Sequence, residues 1–266
     1  MEHPRISVIM GIYNCASTLR EALDSLLAQT FQAFKVIMCD DGSVDDTYNI
    51  AKEYVDKFPE KFILIRNEKN LKLAATLNKC LELVDTEYVA RMDGDDISLP
   101  TRFEKQIAFL EENPMFSHIS CAMNLFDEDG IYSVAIRDVA IPGSKEFING
   151  TPYFHAPTLF RFEALKKVGF YTSTPRVERV EDYYLWYKFH QNGLQGYNLN
   201  EPLYSMRNDK NAFSRRTVKD RIKSSKIKYD VLNGLHIKYA WLYSLRDLSK
   251  SLVPSFIVRL IKRTFN

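Results

Sequence analysis

Four short apolar runs, at residues 6–10, 34–39, 62–65 and 87–92, alternate with segments whose apolar side chains recur at helical spacing. After the first run, Leu19, Ala22, Leu23, Leu26 and Leu27 form one stripe, with Ser17 as a candidate N-cap. A helix over 45–58 follows the second run, with Asp45 and Asp46 in a first turn where the helix dipole favours acids. Leu73, Leu77, Leu81 and Val84 mark a third helix over 73–84. This rhythm predicts a Rossmann-like α/β fold with a mostly parallel sheet flanked by helices, because parallel neighbours need a crossover connection. Ligands bind such sheets in the crevice at the carboxyl ends of the strands, so chemistry is expected directly after each run.

Farther along, Pro100 opens a helix over 101–113, residues 116–126 read as a strand, and 127–130 as a turn. The pattern weakens from there to about 158. Helices over 163–168 and 181–191 are stopped by Gly169 and Gly193. From Thr217 the chain reads as helical and basic, with breaks near Gly234 and Pro254. The boundary is placed in 208–214, giving a catalytic domain over 1–212 and a helical extension over 213–266. Charge follows the same division. Residues 215–266 carry thirteen Lys and Arg against three Asp, or +10, within a chain of net charge +2. The body is therefore acidic and the extension basic, so the two are expected to face different partners.

The four cysteines, Cys15, Cys39, Cys80 and Cys121, show no CxxC spacing and read as small buried hydrophobes rather than a zinc site. No signal-peptide pattern opens the chain, and no uncharged apolar run reaches the ~18 residues of a spanning helix. The expected compartment is the reducing cytosol.

Three acidic constellations fall where ligands bind. Asp40-Asp41-Gly42-Ser43 follows the second run, and its carboxylates suit hydrogen bonds from a base or ribose, although the same residues also make turns. Asp93-Gly94-Asp95-Asp96 follows the fourth run. Three carboxylates in four residues repel one another unless a cation neutralises them, and hard oxygen ligands suit Mg²⁺ or Mn²⁺ with diphosphate oxygens completing the shell. Glu181-Asp182 stands at a helix start, as a cap or as a general base. No GxGxxG follows the first run, where Gly11-Ile12-Tyr13-Asn14-Cys15 stands, and there is no P-loop, which argues against a dinucleotide enzyme and a P-loop NTPase.

Taken in order over residues 5–207, these motifs resemble the family-2 glycosyltransferases of GT-A fold, especially bacterial enzymes that build capsule, exopolysaccharide and O-antigen. Residues 6–14 resemble the family's opening strand, Asp40 to Ser43 with Asp45-Asp46-Thr47 its uridine-binding turn, and 67–78 its loop and helix near the diphosphate. Asp93 to Asp96, with Pro100 and Arg102, resembles its DxD segment, and Glu181-Asp182 its ED pair. The resemblance implies that Tyr13 lines the uracil, with Asp40 beside it in the nucleotide site. It implies that Asp41 accepts from the uracil N3–H, that Asp93 contacts the ribose and helps hold the metal, that Asp95 is the main ligand, and that Asp182 is the general base. Glu181, His155 and Arg161 fall in segments beside the acceptor, although His155 also reads as a satisfied core histidine. Two positions depart from the pattern: Gly11 stands where the family usually has proline, and Lys72 where it has glycine.

The implied reaction is metal-dependent, inverting transfer of a sugar from a UDP-sugar to a glycan hydroxyl, with a polyprenyl-diphosphate-linked acceptor. Cations interleaved with Tyr239, Trp241, Leu242 and Tyr243 suit a helix lying on an anionic membrane, which would place the protein on the inner membrane face; the alternative is that these helices pack on the catalytic domain or on a second subunit. No nucleic-acid motif accompanies this charge, and a homo-oligomer stays open. Two rivals remain: an inactive nucleotide-sugar-binding scaffold, for which a base is redundant, and a sugar nucleotidyltransferase, for which a glycine-rich basic N-terminal loop is missing.

Overall fold

The computed structural model describes residues 3–207 and 217–252. The four apolar runs form β1 (Ile6–Ile12), β2 (Phe34–Asp40), β3 (Phe62–Arg66) and β4 (Tyr88–Arg91). Between them lie α1 (Leu19–Leu27), α2 (Thr47–Lys57) and α3 (Leu73–Leu81). The strands pair in parallel in the spatial order β3-β2-β1-β4.

Beyond β4 the sheet becomes mixed. The chain continues as β5 (Ile97–Ser98), α4 (Arg102–Glu112), β6 (Phe116–Asp127), β7 (Gly130–Ala135) and a 3-10 turn at Ser144–Ile148. It then forms β8 (Leu159–Arg161), α5 (Phe162–Val168), α6 (Glu181–Gln191) and β9 (Gln195–Arg207). β8 lies antiparallel between β4 and β6, β9 runs parallel to β6, and β5 and β7 join antiparallel to β9 and β6. The expected parallel sheet is thus its first half only. Pro202 sits in β9 at a register shift opposite Ala122, where a residue without an N–H is tolerated.

Alternation along β1 splits the core into two layers. Ile6, Val8 and Met10 meet Leu19, Leu23 and Leu26 of α1 and Phe103 and Leu110 of α4. Ile9 on the opposite face meets Leu77 and Leu81 of α3, with Leu185, Trp186 and Phe189 of α6 in the same layer. Each such large apolar side chain contributes roughly 1.5–3 kcal/mol on burial. Burial of one side of α6 therefore sets the pose of the acids at its start.

The basic extension begins with α7 (Val218–Gly234) and α8 (Ala240–Leu252), with the chain turning after Gly234. α7 places Ile227, Val231 and Leu232 in the second core layer. It is also tied to the loop before α6 by Arg176–Asp230 at 2.5 Å and Lys223–Glu178 at 3.6 Å. The boundary expected at 208–214, the division at 212/213 and the break near Pro254 lie outside the described residues. All four cysteines are free thiols. No helix of the described residues is long and apolar enough to cross a membrane.

A candidate nucleotide and metal site at the carboxyl edge of the sheet

The loops after β1 and β2 are stitched together by polar side chains. Asn14, with φ of 48°, donates its N–H to Ser43 Oγ at 3.0 Å and accepts from Val44 N at its Oδ1. Cys15 N donates to Thr47 Oγ1 at 2.8 Å, and Ala16 N to Asp45 Oδ2 at 3.1 Å. α2 accordingly starts at Thr47, and Asp45 works as a clamp between loops. α1 starts at Leu19 with Thr18, not Ser17, at the cap position and no side-chain cap bond. Thr18 Oγ1 donates instead to Gly94 O at 3.0 Å, joining α1 to the acidic loop after β4. Tyr13 is left 47% exposed beside this loop cluster.

Asp40 and Asp41 are both buried. Asp40 pairs with Arg66 Nε at 2.9 Å and accepts from Ser43 N. Asp41 Oδ1 accepts from Asn67 Nδ2 and Leu71 N at 2.8 Å, and its Oδ2 from Lys72 N at 3.0 Å. Asp41 thereby holds the β3–α3 loop against the end of β2. Gly42, with φ of +73°, passes so close that a Cβ there would stand 3.0 Å from the Lys69 carbonyl carbon.

Asp93, Asp95 and Asp96 bring carboxylate oxygens within 4.8 Å of one another. Buried Arg91 grips Asp93 through both terminal nitrogens, one at 2.7 Å. Tyr204 of β9 accepts from Asp93 N at 3.2 Å and donates to Asp96 Oδ2 at 2.9 Å. Asp96 Oδ1 accepts from Arg207 N at 2.8 Å, and Asp95 is exposed. Burial first, and then the charges of Asp93 and Asp95, push the Asp96 carboxyl up to about 8. Crowding of the cluster removes water from the Asp95 carboxylate, and this and then Asp93 raise it as well, although the residue as a whole is exposed. Two anchored carboxylates and one accessible carboxylate crowded to this degree suit a hard divalent cation. Arg91, Tyr204 and Arg207 hold these acids in place, and the motif reading gave none of the three a role. Tyr204 and Arg207 lie on β9, for which the sequence reading has no strand.

Asp182 and Glu181 open α6. Asp182 Oδ1 accepts from Tyr183 N at 2.7 Å, which orients its carboxylate. Burial, then Asp182, raises Glu181. Tyr171 lies within electrostatic reach of Arg91, Asp182, Glu181 and Asp93. His155 Nε2 lies 2.6 Å from Tyr171 Oη, and burial followed by Arg91 holds its pKa well below the usual histidine range. The ring is therefore neutral. Arg137, after β7, packs over the Phe154 ring at 4.1 Å and feels the charge of Asp182.

Arg161 is not brought to this group. It pairs across from Tyr88 at the opposite end of β4 and donates to Phe116 O at 3.0 Å and to Leu110 O at 2.5 Å. Asp93 stands five positions beyond Tyr88, roughly 16 Å at a strand's rise. Its work is to tie β8 to the ends of α4 and β6.

A cavity of about 300 Å³ lies between the start of α3 and the segment before α6. Leu71, Lys72, Thr172, Glu178, Arg179 and Glu181 are among its lining residues.

Comparison with known proteins identifies the family and the fold. The description Glycosyl transferase family 2 matches residues 7–169. A putative glycosyltransferase, EpsE, from Bacillus subtilis (strain 168) is 38% identical over 256 residues, covering 96% of this chain and 92% of its own. The Escherichia coli UDP-Gal:alpha-D-GlcNAc-diphosphoundecaprenol beta-1,3-galactosyltransferase is 30% identical over 273 residues, covering 98% and 94%. Among solved structures, S. aureus TarS 1-349 in complex with UDP-GlcNAc superposes with a TM-score of 0.69 at 19% identity, over 92% of this chain and 71% of that one. The expected GT-A fold is the observed one, and the chain is a glycosyltransferase belonging to glycosyl transferase family 2.

Proposed function

We propose that this chain is a metal-dependent, inverting hexosyltransferase that moves a sugar from a UDP-sugar to a hydroxyl of a glycan acceptor. We infer a polyprenyl-diphosphate-linked acceptor and a role in bacterial surface polysaccharide synthesis. The observation that carries the reading is the cluster of Asp93, Asp95 and Asp96, in a loop that Thr18 ties to the start of α1 through Gly94 O, with Tyr171 within electrostatic reach of both Asp93 and Asp182. The E. coli relative, named for a UDP-Gal donor and a diphosphoundecaprenol-linked acceptor, supports the donor and acceptor classes.

Asp95 and Asp93 are the residues that would hold Mn²⁺ or Mg²⁺, Asp95 through its accessible carboxylate and Asp93 as steadied by Arg91. The chemistry such an ion supplies when bound is stabilisation of charge on the leaving diphosphate. Tyr13 offers its exposed ring to the base, with Asp40 and Asp41 shaping the turn behind it. Asp41 Oδ2 accepts from Lys72 N, and the uracil N3–H is assigned to it as a second donor. Asp182 takes the acceptor hydroxyl's proton onto its carboxylate as that oxygen attacks the anomeric carbon from the face opposite the diphosphate. A single base without a covalent intermediate gives inversion. Glu181, and His155 through Tyr171, border the acceptor's approach. The direct test is transfer from a panel of UDP-hexoses to a GlcNAc-diphospholipid, with the product's anomeric configuration read by NMR. An inverted product supports the reading, whereas a retained configuration or no transfer from any donor overturns it.

The extension supports a second element of the proposal, docking on an anionic membrane. Tyr239 and Trp241 are 67% and 53% exposed, beside Leu242 and Leu245, in the segment that carries +10. Because α7 contributes to the core, the test substitutes Tyr239→Ser and Trp241→Ser rather than truncating the chain. These changes should reduce flotation with anionic vesicles about tenfold, and unchanged flotation would remove the membrane from the account.

A further inference from the structure

Lys72 occupies a backbone conformation that a side chain strongly disfavours. Its φ of 74° and ψ of 160° lie in the region populated essentially by glycine. The surroundings hold it there from both sides. Its N–H donates to Asp41 Oδ2 at 3.0 Å and to Asn70 Oδ1 at 3.1 Å, while its carbonyl accepts from Thr76 N at 3.1 Å and Thr76 Oγ1 at 3.0 Å. Glycine would meet all four bonds without strain, so the lysine is maintained against the local backbone preference.

Its side chain lines the 300 Å³ cavity and has no hydrogen bond or ion pair among the described residues. The arginines around the site are already matched: Arg91 with Asp93, Arg66 with Asp40, Arg207 with Glu21 and Arg179 with Asp220. Glu178, also on the cavity wall, pairs with Lys223. Lys72 is therefore an uncommitted cation at the carboxyl edge of the sheet, attached through its own N–H to Asp41, directly after β2. An anion entering this cavity, beside the Glu181 carboxylate, requires such a charge.

We propose that Lys72 is a donor-binding residue whose ammonium pairs with a diphosphate oxygen of the nucleotide sugar. This rests on the nucleotide-sugar reading above. Two substitutions separate charge from strain: Lys72→Gly removes both, and Lys72→Met removes the charge alone. Calorimetric titration of the full-length protein with UDP and with UMP, in Mn²⁺, reads the contact. Both variants should bind UDP about 5–20-fold more weakly and UMP within about twofold of wild type. Lys72→Gly alone should melt roughly 2–6 °C higher. Unchanged UDP affinity in both variants, or equal losses for UDP and UMP, overturns the diphosphate contact. No rise in melting temperature for Lys72→Gly removes the strain that singles the residue out. If wild type binds no UDP, GDP or dTDP, the nucleotide-sugar reading fails first and this proposal falls with it.

Discussion

Asp93 and Asp96 owe their positions to residues outside the acidic motif. Tyr204 carries one hydroxyl that serves both, accepting from Asp93 N and donating to Asp96 Oδ2. Tyr204→Phe keeps the ring's packing against Arg102, whose guanidinium lies 5.0 Å from its centroid, and removes only this bridge. It should cost about 1–3 kcal/mol in urea denaturation, the usual penalty for a buried polar group left unpaired, and should weaken metal-dependent UDP binding. A neutral denaturation result would mean that water replaces the hydroxyl. At the other acid, Asp182→Asn preserves size and the bond from Tyr183 N while removing the base. We expect kcat to fall about 10²–10⁴-fold with the Kd for UDP unchanged. Steady-state rates beside calorimetry check this, and a matching loss of UDP affinity would reassign Asp182 to the nucleotide.

At the scale of elements, the site is made where four strand ends converge, and small residues allow the approach. Gly42 has φ of +73° and passes against the backbone of Lys69 and Asn70. Gly42→Ala should destabilise the fold by about 1–3 kcal/mol, measured by thermal or denaturant unfolding, and should disorder the loop that Asp41 holds. Stability equal to wild type would show that the loop relaxes freely. The parallel half of this arrangement was legible because β1 to β4 are apolar runs separated by amphipathic helices, and because acidic residues crowd directly after two of them. α6 was legible to its terminal residues, since Glu181 marks its start and Gly193, with φ of +66°, lies just past its end. The remainder was hidden for physical reasons. β9 mixes buried and exposed positions and contains Gly196, Asn198 and Pro202, which read as breakers. β5 and β8 are two and three residues long, too short for any period. Arg161 was misplaced because a motif position carries no record of which end of a short strand it occupies. Lys72 was visible as a departure from the family pattern, but only the backbone dihedrals reveal its strain.

For the whole molecule, one fully buried and one half-buried histidine tie stability to pH. His118 is fully buried, stacked on Trp186 at 4.9 Å, and burial pushes its pKa down to about 3. Burial and Arg91 depress His155 as well. Both titrate near 6.5 in the unfolded chain. Below that value the unfolded state binds protons that the folded state refuses, so stability falls as pH drops from about 6.5 toward 3. The slope is roughly 1.4 kcal/mol per pH unit for each histidine. Urea midpoints measured from pH 7 to 4 should decline accordingly, and a flat profile would contradict the neutral rings. α7 shares its core layer with α6 and is tied to the loop before α6 by Arg176–Asp230.

The most direct test of the central claim is calorimetric titration of UDP into wild type and Asp95→Ala, each with Mn²⁺ and with EDTA. The account predicts UDP binding by wild type that needs the metal and is lost in Asp95→Ala while folding is retained. UDP binding of equal strength in EDTA, or undiminished binding by Asp95→Ala, would contradict the assignment of Asp93, Asp95 and Asp96 as the metal-assisted diphosphate site.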